Sequence, residues 1–235
     1  MISSLWRRAA AELLGTGLLV TVVVGSGIAA AQLSPDDVGV QLLENSIATA
    51  LGLGVLILML RPISGAHFNP VVTLADALLR GRSWREVPVY VAAQLVGAVG
   101  GTELANAMFA VPPAWSVKHR ATTPHLLGEA VATAVLILLI FLLARTGQTY
   151  AAPAAIGAYI GAAYWFTSST SFANPAVTVG RMFTNTFAGI APASTPGFIA
   201  AQLAGAAIGL GLPVVLVPAS RARAADAVIP ERTLS

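Results

Sequence analysis

No cysteine occurs in the 235 residues. Its absence excludes disulfides, thiolate metal sites and thiol catalysis, and leaves the redox compartment open. Charge is scarce too, at 10% of residues, against roughly a quarter in ordinary soluble domains. The three histidines, His67, His119 and His125, match no metal-binding spacing. The formal charge is +3, but no dense basic run or basic-aromatic patch suited to nucleic acid goes with it. No nucleophile-base pairing or phosphate loop supports an enzyme.

What is present is apolar: 56% of the residues are hydrophobic. A membrane span needs about 20 such residues, so six spans with their connections nearly exhaust the length. Six segments qualify, Ala9–Leu33, Gln41–Leu60, Val87–Ala110, Leu126–Ala144, Tyr150–Ser168 and Pro196–Val217. Their Gly and Ala content suits helices that approach closely within a bilayer. The first also resembles a signal peptide, with Trp6-Arg7-Arg8 before an apolar core and Ala29-Ala30-Ala31 after it; Glu12 inside that core argues against this.

Orientation follows from Lys and Arg in the short connections. With a cytoplasmic N-terminus, the inner side holds Arg7, Arg8, Arg61, Arg80, Arg82, Arg85, Arg145, Arg221, Arg223 and Arg232, leaving only Lys118, Arg120 and Arg181 outside. Both termini are therefore expected in the cytoplasm. Residues 1–218 read as one channel domain, and residues 219–235 as a disordered cytoplasmic tail.

The chain repeats itself. "AELLGT" sets Glu12 four residues before Thr16, and "GEAVAT" sets Glu129 four before Thr133. "QLVGAVGG" from Gln94 matches "QLAGAAIG" from Gln202, each with a G-x-x-x-G spacing. Between these landmarks "HFNPVVTLAD" answers "FANPAVTVGR". Three spans per half is an odd number, so the repeats, about 9–110 and 125–218, must enter the membrane from opposite sides.

The stretch Ile63 to Leu79 is too short to cross and too apolar for a solvated loop, which predicts a re-entrant segment. Asn is a favoured N-cap and Pro a favoured first helical residue. Asn69-Pro70 and Asn174-Pro175 thus read as the starts of half-helices meeting near the midplane. Irregular backbone at that depth must be buried in protein or line a water-filled cavity. The residues before each cap, Gly65, Ala66, His67 and Phe68, and Thr170, Ser171, Phe172 and Ala173, are therefore expected to line a pore with their carbonyls. Two half-helix N-termini bring positive potential to its centre, disfavouring cations. Glu12 and Glu129, costly in lipid, are expected to face inward and accept hydrogen bonds from the re-entrant backbone.

On these residues the sequence resembles the aquaporin and glycerol-facilitator family, the major intrinsic proteins, over about residues 9–218. "SGAHFNPVVT" and "SFANPAVT" match the family's two signature loops, with Val71 where Ala is usual. The resemblance implies an all-α membrane protein with six transmembrane helices, two re-entrant half-helices and an inverted repeat. It implies a homotetramer in membrane lipid with one pore per subunit, passing small neutral solutes without cofactor or energy source. Asn69 and Asn174 form its central constriction. The family's outer filter combines an Arg three residues after the second Asn, a residue three before it, and one each from the second and fifth spans. Carried over, these become Val177, Ser171, Thr49 and Ala162, or Gly161 if the register slips by one. All are small, so a wide filter without arginine is expected.

Val177, "NPVVTLAD" and "VGRMFTNTFAGIAP" resemble the bacterial aquaporin-like channels associated with arsenic resistance. Candidate solutes are therefore glycerol-like polyols, arsenous acid, methylated arsenicals and water. A water-selective aquaporin, an ion channel or a secondary transporter are the alternatives. Arg181 lies seven residues after Asn174, about 20° from its helix face, and is expected to border the outer vestibule. It either supplies a positive field there or pairs with loop carbonyls. Asp76 holds the equivalent place on the cytoplasmic side.

Overall fold

A computed structural model describes residues 4–216, apart from the side chains of 214 and 215. Eight α-helices and no strand occur among the described residues: α1 (Leu5–Leu33), α2 (Val38–Ser64), α3 (Pro70–Leu78), α4 (Val87–Met108), α5 (Thr123–Arg145), α6 (Ala152–Phe166), α7 (Pro175–Gly180) and α8 (Thr195–Leu216). The expected tail, with Arg221, Arg223 and Arg232, lies outside them.

The six apolar segments become α1, α2, α4, α5, α6 and α8, with boundaries shifted by a few residues. The second span runs on through Arg61 and Pro62 to a left-handed cap at Gly65. Pro62 lies in the last turn of α2. Among the described residues, five helices are long and apolar enough to cross a membrane. The exception, α6, has 15 residues. A single 3-10 turn at Thr149–Ala151 leads straight into it, and the joint run reaches about 27 Å at 1.5 Å per residue.

The two halves are built alike. α1 packs on α2 and α4, and its counterpart α5 packs on α6 and α8, while α2 against α6 joins the halves. The paired glycines explain the close crossings. A Cβ at Gly97 or Gly101 would overlap the carbonyl oxygens of Leu13 or Gly17 on α1. In the second half, Gly205 and Gly209 stand in the same way against Ala130 and Ala134 on α5. Lipid tails are as apolar as the side chains, so such backbone approach, rather than hydrophobic burial, is what associates these helices. We expect Gly205→Leu to force α5 and α8 apart and to destabilise the fold by about 1–3 kcal/mol or more. Thermal unfolding in detergent checks this; an unchanged midpoint would show that the crossing tolerates the bulk.

The half-helices α3 and α7 do not cross. Each packs against both α4 and α8, the last span of either half. Their N-termini are thereby brought together inside the bundle.

Candidate channel and its two asparagines

Asn69 and Asn174 each cap a half-helix with the side-chain oxygen and reach across with the nitrogen. Asn69 Oδ1 accepts from Val71 N at 3.0 Å, and Asn174 Oδ1 from Ala176 N at 2.9 Å. Asn69 Nδ2 donates to the carbonyl of Ala173 at 2.8 Å, and Asn174 Nδ2 donates to that of Phe68 at 2.7 Å. Each amide thus spends one N–H on the residue just before the other asparagine. An Asn amide carries two donors, so one N–H on each remains for a solute.

The backbone leading to each cap is bent in the same pattern. Gly65, Ala66 and Phe68 have φ of 92°, 52° and 50°, and Thr170, Ser171 and Ala173 have 61°, 50° and 48°. Five of these six are not glycine, and such left-handed residues cost free energy unless the surroundings hold them. The holding groups are buried and symmetric. Glu12 accepts from Ser64 Oγ (2.6 Å), His67 N (3.0 Å), Phe68 N (2.7 Å) and Gln94 Nε2 (2.7 Å). Glu129 accepts from Phe172 N (2.8 Å), Ala173 N (2.9 Å) and Gln202 Nε2 (2.6 Å). Gln94 and Gln202 also donate to Thr73 and Thr178, whose hydroxyls donate to the carbonyls of Asn69 and Asn174. The Gln and Thr roles escaped the sequence reading, although the Gln match and the shared N-P-x-V-T spacing marked both.

One cavity runs past the asparagine pair on both sides, with Arg61 in its lining toward one end and Arg181 toward the other. Its walls are unlike. Leu19, Val23, Leu53, Ile57, Leu136 and Ile156 form an apolar side from four helices, while the loops contribute the two asparagines, His67 and Ser171.

Of the expected lining residues, Gly65, Ala66, His67, Phe68, Ser171, Phe172, Ala173, Thr49 and Val177 reach this cavity. Thr170 does not, unlike Gly65 at the matching position. Ala162 is also outside it. Residues two apart on a helix diverge by about 200°, so Ala162 faces outward, exposed, while Ile160 and Tyr164 face the cavity. Gly161, the alternative, packs on Ala50 of α2 instead. Tyr164 Oη lies 3.1 Å from Thr49 Oγ1, which sets the Tyr164 ring at the level of the second-span residue. On α6 the cavity is thus met at this level by the aromatic Tyr164 and not by Ala162. Tyr164 was missed because irregular backbone at Thr167–Ala173 separates α6 from Asn174, and residue counting across it does not preserve helical phase.

Asp76 also departs from expectation. It lies away from the cavity, within 3.3 Å of Arg82 Nε and 3.6 Å of His67 Nε2. Arg82 further donates to the Ser64 carbonyl at 3.1 Å and to Glu86 at 2.9 Å, and Arg8 also pairs with Glu86 at 2.6 Å. A buried carboxylate needs such partners, and this chain of charges ties α1 and α4 to the end of α2.

Arg181 is 3% exposed. It donates through Nε to the Ala188 carbonyl, with its guanidinium carbon 3.4 Å from the Phe172 ring centroid. Arg120 donates to the flanking carbonyls of Gly189 (2.8 Å) and Phe187 (3.1 Å). Burial pushes the Lys118 ammonium below the usual lysine range, and the like charges of Arg120 and Arg181 add to this.

A bundle of spanning helices with two opposed half-helices, their capping asparagines bordering one cavity, defines a membrane channel. The chain belongs to the major intrinsic protein family, whose model matches residues 2–173. It is 51% identical to the aquaglyceroporin AqpS of Rhizobium meliloti over 88% of this chain and 89% of that protein. Aquaporin NIP2-1 of Zea mays is 32% identical over 79% of this chain and 64% of its own length. The X-ray structure of the aquaglyceroporin from Plasmodium falciparum superposes with a TM-score of 0.70 at 19% identity, covering 92% of this chain and 98% of that one. The protein is accordingly an integral membrane protein and a passive channel for small solutes, not an enzyme.

Proposed function

We propose that the pore passes small neutral hydroxylated solutes, with glycerol-like polyols and arsenous acid as the chief candidates and methylated arsenicals and water beside them. The observation that carries this reading is the two-sided cavity. An apolar wall accommodates carbon, or the less polar face of a hydroxylated solute. The opposite polar stripe offers one free N–H on each asparagine, which exchanges hydrogen bonds with hydroxyls. The outer filter on this reading is Thr49, Ser171 and Val177 with Tyr164 in place of Ala162. Val177 leaves that ring open where a guanidinium at the same position would cross it.

Glu12 and Glu129 hold the re-entrant loops to shape in this scheme. Asn69 and Asn174 hold the central constriction. Arg7, Arg8, Arg61, Arg80, Arg82, Arg85 and Arg145 support a cytoplasmic placement of the N-terminal side. Exposed apolar residues such as Leu51, Val55 and Leu58 on α2 supply faces for lipid and for the neighbours of a homotetramer.

Purified protein in liposomes tests the function. Under an inward glycerol gradient, re-swelling is expected to be about tenfold faster than in empty vesicles, equivalent to about 1.4 kcal/mol of barrier, with no accompanying current. Glycerol-dependent current would point to an ion-coupled transporter instead, and re-swelling no faster than in empty vesicles would remove the polyol reading.

A further inference from the structure

Position 177 carries no guanidinium, yet one lines the same cavity. Arg181 stands four residues further along, where i and i+4 side chains share a helix face. It is 97% enclosed by the 3% exposure of its surface. Nε is fixed on the Ala188 carbonyl, and the guanidinium plane is supported by the Phe172 ring. Phe172 is itself braced edge-on by Phe198, with centroids 5.1 Å apart. Such an arrangement immobilises a side chain that otherwise has about 2 kcal/mol of rotamer entropy.

The remaining donors have no hydrogen-bond partner among the described residues. Among the described residues, no acceptor lies within hydrogen-bond distance of Nη1 or Nη2, and no carboxylate forms an ion pair with Arg181, Arg120 or Lys118. Neither Nη nitrogen is among the fully enclosed unpaired atoms, so their open side is the cavity that Arg181 lines. Arg120 differs, because its Nε and one Nη are occupied by the Gly189 and Phe187 carbonyls. The loop Phe187–Gly189 thus uses three successive carbonyls to seat two arginines. A buried arginine cannot shed its proton to relieve the missing partners. Its free N–H groups therefore need an acceptor from within the lumen, which water or a solute oxygen supplies.

We infer that Arg181 is a specificity-determining residue of the pore, whose fixed guanidinium donates hydrogen bonds to the oxygens of a passing neutral hydroxylated solute and repels cations at the outer mouth. This inference rests on the channel reading above. It places the cationic donor one helical turn from Val177, so the ring stays open at 177 while the charge is kept. A bidentate fork suits the paired oxygens of a polyol or of a trihydroxy acid. The barrier to cations then comes from this charge together with the half-helix dipoles.

Two variants test it in liposomes, with glycerol as the neutral probe and methylammonium as a small cation that fits wherever glycerol does. Arg181→Gln keeps an N–H donor for the Ala188 carbonyl but removes the charge. It is expected to raise methylammonium entry about tenfold or more, as loss of a charge barrier worth about 1.4 kcal/mol requires. Arg181→Lys keeps the charge and loses the fork. It is expected to continue excluding methylammonium while glycerol permeability falls about three- to tenfold, an amount in keeping with the net worth of one ordinary hydrogen bond. A folded Arg181→Gln channel that still excludes methylammonium overturns the assignment. So does an Arg181→Lys channel that carries glycerol as the parent does, which keeps the test decisive if the glutamine variant fails to fold. Melting temperatures separate these outcomes from a purely structural role, in which stability drops and the methylammonium-to-glycerol ratio is unchanged. Failure of the parent to carry glycerol strikes the channel reading instead and is seen before either variant is measured.

Discussion

Val177→Arg is expected to lower glycerol permeability of reconstituted protein at least about tenfold, equivalent to about 1.4 kcal/mol of added barrier. Val177 lines the cavity and is 5% exposed, so its side chain is packed against the wall with little room behind it. A longer side chain at 177 has only the lumen to enter. There it meets Arg181, four residues on, and like charges at that spacing repel. The new guanidinium then extends across the opening toward Thr49 and Tyr164. Water, being smaller, is expected to lose less than glycerol, so the ratio of the two permeabilities shifts toward water. Stopped-flow light scattering on the same vesicles reads both rates. Should the variant carry each solute as the parent does, an open ring at 177 has no bearing on selection, and the filter lies elsewhere.

How this ring was legible depends on what kind of backbone separates its members. Thr49 lies on a helix unbroken to Ser64, with only the four irregular residues 65–68 before Asn69, and counting back across this shorter gap lands on a residue that reaches the cavity. Ser171 and Val177 flank Asn174 directly, and both line it. Tyr164 was not legible. Seven residues of non-helical chain stand between α6 and Asn174, and within them Thr170, Ser171 and Ala173 are left-handed. Sequence distance then no longer encodes angle or height. Asp76 failed for a different reason. Its partner, Arg82, comes from the loop after α3 and cannot be paired with it by counting.

The spans and half-helices were far more legible, because their cause is local. An apolar run of about 20 residues in lipid has few options besides a helix, and Asn-Pro in such surroundings starts one. The inverted symmetry was visible through Glu12 and Glu129 because a carboxylate in an apolar segment is rare enough to serve as a marker. Its meaning becomes physical once the loops are seen. Each Glu stands where two consecutive loop N–H groups converge, His67 and Phe68 in one half, Phe172 and Ala173 in the other. Left-handed turns expose those donors, so the strained loop and the buried acid require each other.

Glu129→Ala should therefore cost more than any other single truncation in the second half. It leaves the N–H groups of Phe172 and Ala173 buried without acceptors, each worth about 1–3 kcal/mol. It also removes the acceptor for Gln202 Nε2, which keeps only Thr178. The left-handed residues Thr170, Ser171 and Ala173 then lose the contacts that hold them, and each stores about 1–3 kcal/mol of backbone strain. That strain is present in the parent too, so the added cost is that of the orphaned donors, several kcal/mol, a large share of the about 5–15 kcal/mol that holds a typical protein folded. Little folded protein is expected on gel filtration in detergent. Glu129→Gln keeps one acceptor oxygen and turns the other into a donor facing donors, so a folded but less stable channel with reduced flux is expected. The ordering parent, Gln, Ala is the discriminating result. An alanine variant that melts with the parent and carries the same flux would mean that the loop holds its shape without the carboxylate, and that the twofold recurrence of the buried acid has some other cause.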